Sequence, residues 1–141
     1  MPLKRSIILI IDSDLGSVFW LGQLLDATGY ESLPAKSLWD AKLLLAELKV
    51  TIDLLIVSAS IPGVAAFTES LRSSQGRLKT IGLLGDDEEM PEVEPHMDAW
   101  LQKPVLTDGV SKLDYLELVN SLLGPNAGVK PAFPVAALSF C

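Results

Sequence analysis

Cysteine and histidine are nearly absent from this chain. Its 141 residues include one cysteine, Cys141, and one histidine, His96. A disulfide framework within the chain is therefore excluded, as is a multi-cysteine zinc site. Little is left for histidine catalysis. Basic residues are outnumbered, 11 Lys and Arg against 18 Asp and Glu, giving a net charge of −7. That balance argues against a nucleic-acid-binding surface. Long apolar runs are missing too. Residues 6–11 and 54–57 are runs of strand length, far below the roughly 20 residues that a membrane helix needs. Lys4 and Arg5 precede the first of these runs, as in a signal peptide. The run meets Asp12 and Asp14 at once, however, and no clean small-residue cleavage site follows. The expectation is a cytoplasmic protein without membrane association.

What is present is ordinary globular material. Apolar residues make up 49% and charged residues 21%, so wholesale disorder is excluded. A chain of this length forms one domain that buries about two-thirds of its unfolded surface without help from metals. Residues 6–11 are continuously apolar and rich in β-branched side chains, the mark of a strand covered on both faces. Helical spacing follows through Leu15, Val18, Phe19, Leu21, Leu24 and Leu25, and Gly29 ends it. A short second strand is expected over 30–33. Ser37 to Asp40 reads as a capping box for a helix whose core face is Ala41, Leu44, Leu45 and Leu48. Residues 53–58 form a third strand, 60–63 a turn and 64–73 a third helix. Residues 80–84 form a fourth strand, weakened by Gly82.

The alternation then breaks. Residues 86–94 hold six acids, with Pro91 inside and Pro95 just after. Proline costs a helix interior about 3 kcal/mol, so at most one helical turn fits there. Residues 98–103 form a fifth strand closed by Pro104. Ser111 reads as the cap of a last helix ending at Leu123, before Gly124 and Pro125. The expected fold is α/β, a flavodoxin-like (βα)5 three-layer sandwich. Its parallel five-stranded sheet has the order 2-1-3-4-5 and its fourth helix is shortened or missing. Two regions are expected: a domain over 1–124 and a proline-containing tail over 125–141. The tail is apolar for a terminus, with Phe133, Val135, Leu138 and Phe140, so docking on this domain or on a partner is expected of it.

Three sites, by their spacing, carry a resemblance. They are the acids after the first strand, the end of the third strand with Pro62-Gly63, and Trp100-Leu101-Gln102-Lys103-Pro104. Residues 5–124 resemble the receiver (CheY-like) domains of bacterial response regulators. The resemblance implies a domain that takes a phosphoryl group from a histidine kinase onto an aspartate ending the third strand. It implies Mg²⁺ held by paired acids after the first strand, a lysine on the phosphoryl oxygens, and a hydroxyl after the fourth strand. Such chemistry rests on positioning and on cations that offset developing charge.

Carried onto this chain, Asp12 matches the first paired acid, but the second falls on Ser13. The acceptor falls on Ser58, the hydroxyl position on Gly85 and the lysine on Lys103. Trp100 takes the aromatic switch position, and Pro104 the proline that the family holds in a cis peptide. A serine hydroxyl cannot attack a phosphohistidine as a carboxylate does; it needs a general base. No aspartate lies between Asp53 and Asp86, so shifting the alignment restores no acceptor. Asp12, with Asp14, is a poor remnant of a Mg²⁺ site, and no metal or cofactor is expected. Lys103, without its usual partners, is expected to pair with Asp12.

The resemblance therefore points to a degenerate pseudo-receiver. It is expected to be non-enzymatic, a monomer or weak homodimer, and to act by binding a signalling protein. No effector domain is expected within residues 125–141. Plainer readings stand beside this one: Asp12 and Asp14 as caps of the first helix, the acidic run as a solvated loop, and Trp100 as packing. Two rival functions remain. One is a conventional phosphorylatable receiver with unusual ligands. The other is a small-molecule sensor using the crevice at the strand carboxyl ends. A flavodoxin-type oxidoreductase is disfavoured, because acids stand where a phosphate cradle wants glycines and hydroxyls.

Overall fold

A computed structural model of the chain describes residues 6–85, 97–103 and 110–123, with 110–113 described by backbone alone. Elements follow in the order β1 (Ile7–Ile11), α1 (Leu15–Ala27), β2 (Glu31–Ala35), α2 (Leu38–Leu48), β3 (Leu54–Ser58), α3 (Val64–Ser74), β4 (Lys79–Leu84), β5 (Ala99–Gln102) and α4 (Val110–Leu123). All strand pairs are parallel, and the sheet order is β2-β1-β3-β4-β5. This is the three-layer, flavodoxin-like arrangement expected of the alternating pattern. Among the described residues there are four helices. The segment expected to shorten the helix between β4 and β5 lies at 86–96, outside the described residues, as do Pro104, His96 and the tail.

The sheet is central because its strands are apolar on both faces. Ile8, Ile10, Leu54, Ile56, Ile81 and Leu83 face a core shared with α1 and α4. Leu9, Ile11, Leu55 and Val57 face a second core shared with α2 and α3. No helix among the described residues is long and apolar enough to cross a membrane.

Several local readings change in the structure. β2 runs on through Pro34 to Ala35, because it is an edge strand that pairs only with β1 and so tolerates a proline. Ser111 lies inside the first turn of α4, which starts one residue earlier, so it is not the cap. Of the face expected to bury α2, only Ala41 is buried; Leu44 and Leu45 are half-buried and Leu48 is exposed. On α1, Leu15 and Phe19 are exposed although they share the apolar spacing. Both helices carry more apolar residues than one buried stripe can take.

β4 runs through Gly82 and is paired along both sides. Gly82 opposes Trp100 across β4 and β5, and a Cβ added at 82 would fall among the indole ring atoms. The glycine makes room for the ring, one of the uses of glycine inside a strand.

Candidate functional site

The residues singled out from the sequence converge at the carboxyl ends of the strands. Asp12 follows β1, Ser58 ends β3, Gly85 follows β4 and Lys103 follows β5. Register carries this convergence. Ile11 pairs with Val57, so Asp12 and Ser58 come next on neighbouring strands. Leu84 pairs with Gln102, so Gly85 and Lys103 do the same. Backbone bonds extend the ladder past the strand ends: Asp12 N donates to Ala35 O at 3.1 Å, Ala59 N to Leu83 O at 2.9 Å, and Lys103 N to Leu84 O at 2.8 Å.

Asp12 is fully buried. Its Oδ1 accepts from Lys103 Nζ at 3.3 Å and from Asp14 N at 3.1 Å. Lys103 thus reaches back over the ends of β4 and β3 to the carboxylate after β1. Asp12 Oδ2 is buried with no hydrogen-bond partner among the described residues. Asp14 has a separate task. Its side chain accepts from Gly16 N at 3.1 Å, Ser17 N at 3.4 Å and Ser17 Oγ at 3.1 Å, which caps α1. The two acids are therefore divided: one serves the pocket and the other the helix. Ser13 between them is exposed.

Ser58 is also fully buried. Its Oγ lies 2.9 Å from Ser60 Oγ, in the turn that Gly63 completes with a φ of +84°. The described hydrogen bonds of Asp12 go to Lys103 and to Asp14, so they do not activate the serine as a base would. Trp100, half-buried, packs its ring against Gly82, three residues before Lys103.

Behind the pocket, Tyr115 of α4 donates to the backbone carbonyl of Gln102, next to Lys103. It also stacks edge-on against Trp20 at 5.7 Å between ring centres. Burial, and then the negative charges of Asp12 and Asp114, push its phenol above the usual tyrosine range. Tyr115 was not singled out from the sequence; its place in the apolar spacing of α4 hid its polar contact. A second missed cluster sits at the opposite end of the sheet. Arg72 donates to Thr80 Oγ1 at 2.7 Å, and Asp98 Oδ2 accepts from Thr80 N at 2.8 Å and Thr80 Oγ1 at 3.1 Å. This cluster ties α3 to the starts of β4 and β5.

Solved structures share this architecture. A response regulator from Chloroflexus aurantiacus superposes with a TM-score of 0.69 at 22% identity, covering 85% of this chain and 98% of its own. A response regulator from Thermotoga maritima, solved with magnesium and beryllium fluoride, gives 0.67 at 22% identity, covering 84% and 100%. The chemotaxis response regulator CheY4 of Vibrio cholerae gives 0.64 at 22% identity, covering 82% and 99%. The fold is that of a response-regulator receiver domain. No family model matches the sequence, and no curated protein matches it. At these identities the likeness establishes the receiver fold.

A receiver fold implies a magnesium ion. Mg²⁺ takes octahedral oxygen ligands, usually with one or two carboxylates. Among the described residues the pocket offers one carboxylate, Asp12, with an ammonium group already 3.3 Å from one of its oxygens. Asp14 is turned into the helix cap. Among the described residues, no group of three or more His, Cys, Asp or Glu side chains is placed to hold a metal. Among the described residues, a single carboxylate beside a lysine does not fit the ion.

Proposed function

We propose that this chain is a receiver-type module of two-component signalling that has lost aspartyl phosphorylation and acts by binding another protein. The observation that carries this reading is the state of Ser58. It stands at the acceptor position with its hydroxyl bonded to Ser60, while Lys103 is taken up by Asp12. A receiver needs its lysine and its cation facing an acceptor carboxylate to offset the charge of the transferred group. Here the lysine instead neutralises a buried acid. On this reading the protein is not an enzyme and uses no resident metal. It is cytoplasmic, and monomeric or weakly dimeric. The domain spans 1–124, and 125–141 is an appendage.

The test is an amide NMR titration of the full chain with Mg²⁺ and then beryllofluoride, a mimic of aspartyl phosphate. The signals of Ser13, Ser58, Gly85 and Lys103 are expected to stay in place at millimolar concentrations. A triple variant, Ser13→Asp with Ser58→Asp and Gly85→Thr, restores the missing groups and is expected to respond. Saturable, concerted shifts in the native chain would overturn the reading and return it to the phosphorylatable receivers.

A further inference from the structure

Among the described residues, five large apolar side chains are exposed: Leu15, Phe19, Trp39, Leu43 and Leu48. All five lie on α1 and α2, the two helices beside the edge strand β2. Phe19 is 58% exposed and Trp39 70%. This is a concentration on one edge rather than the scatter of single apolar residues normal for a surface. Leu15, Phe19 and Leu43 line a groove of about 450 Å³ with Pro34 and Leu44, and Asp40 and Glu47 are among its polar residues.

We propose that the C-terminal segment 125–141 of the same chain docks into this α1–α2 groove. Three observations select this occupant. The first is composition. The segment carries Phe133, Val135, Leu138 and Phe140, and Lys130 is its only charged side chain. Apolar side chains match the groove walls, and Lys130 brings a cation to a groove whose charged residues are two acids, Asp40 and Glu47, and one lysine, Lys36.

The second is reach. Leu122 and Leu123, at the end of α4, line a pocket with Ser6, Asp53 and Lys79, at the starts of β1, β3 and β4. The groove lies at the other end of the sheet, beside Ala35 and Lys36. A five-residue strand spans about 17 Å, and passing round α1 adds about 10 Å. Extended chain from Leu123 to Phe133 covers about 33 Å, and Phe140 reaches further. The third is charge. A second copy on this face would bring one body of net charge −7 against another, whereas the segment brings a cation.

The docked segment covers Leu15, Phe19 and Leu43, three of the five exposed large apolar side chains of the described residues. A protein partner that uses this edge must first displace it. None of this involves the strand-end pocket, so the inference stands or falls separately from the proposed function.

Cys141, the only cysteine, allows a test on the full chain without added cysteines. A nitroxide attached there should abolish the amide signals of Phe19, Lys36, Leu43 and Glu47. Those of Gly76 and Lys79, at the far end of the sheet, should be retained. Phe133→Asp with Phe140→Asp should restore the lost signals. Mixing isotope-labelled chain without nitroxide and unlabelled chain with it should cause no loss. Losses in the mixed sample would overturn the proposal in favour of exchange between copies. Retained signals at the groove in the single sample would overturn it too, leaving the edge open to a protein partner.

Discussion

Asp12 and Asp14 stand two residues apart and do unrelated work, so their removal should be felt differently. Asp12→Ala strips Lys103 of its partner at a position where the lysine side chain is only 23% exposed. Breaking a fully buried pair costs about 3–5 kcal/mol, and partial exposure of the lysine lowers the expected loss to about 2–3 kcal/mol. Asp14→Ala removes a helix cap, worth about 1 kcal/mol. Urea denaturation of the two variants separates them, and equal losses would contradict the assigned roles. Tyr115 sets a limit at the alkaline side. Its folded-state pKa lies above the unfolded value, so the native state keeps a proton that the unfolded chain gives up. Stability is therefore full below about pH 10 and falls as pH rises beyond it. In Tyr115→Phe the alkaline slope should be shallower by up to about 1.4 kcal/mol per pH unit, read from denaturant midpoints between pH 9 and about 11.

At the scale of elements, two glycine questions have opposite answers. Lys49 ends α2 in the left-handed region, with a φ of +51°. A side chain there costs about 1 kcal/mol, so Lys49→Gly should stabilise the fold by about that amount in a thermal melt analysed at the transition midpoint. Gly82 is the reverse case. Gly82→Ala should displace the Trp100 ring and destabilise by about 1–3 kcal/mol, with a change in tryptophan near-ultraviolet circular dichroism. Unchanged dichroism would mean that the ring does not rest on Gly82. The same elements show what could be read in advance. β1 and β3 were legible because strands covered on both faces carry continuous apolar runs. The Ser37 cap was legible too, and its Oγ accepts from Asp40 N at 3.1 Å. The end of β2 was not, because Pro34 reads as a stop unless the strand is known to lie at an edge. The role of Gly82 was hidden for a similar reason: it depends on which residue of β5 stands opposite, and that is a matter of register between distant segments.

At the scale of the whole molecule, the two ends of the sheet differ. The carboxyl ends hold the Asp12–Lys103 pair and the Ser58–Ser60 contact, while the amino ends of β4 and β5 hold the Arg72–Thr80–Asp98 cluster. The first pair was legible because each residue lacks the partners that the receiver pattern would supply. The serine contact was not, because it depends on how the turn after β3 folds back. The cluster at the other end involves residues of ordinary types with no motif, and only tertiary structure joins them. The strand order has one more consequence. An open sheet exposes two edges, and an unpaired edge is a template on which chains add without end. Here one edge strand is β5, only four residues long, and the other, β2, carries Pro34 with no N–H to offer. Replacing that proline, as in Pro34→Val, adds an outward N–H and a β-branched residue two positions beyond Ser32, whose own N–H is held by Asp26 Oδ1 at 3.2 Å. The folded chain should then thicken slowly into thioflavin-binding fibrils at concentrations where the native chain stays clear, so a single imino acid would decide how long a solution of this protein keeps.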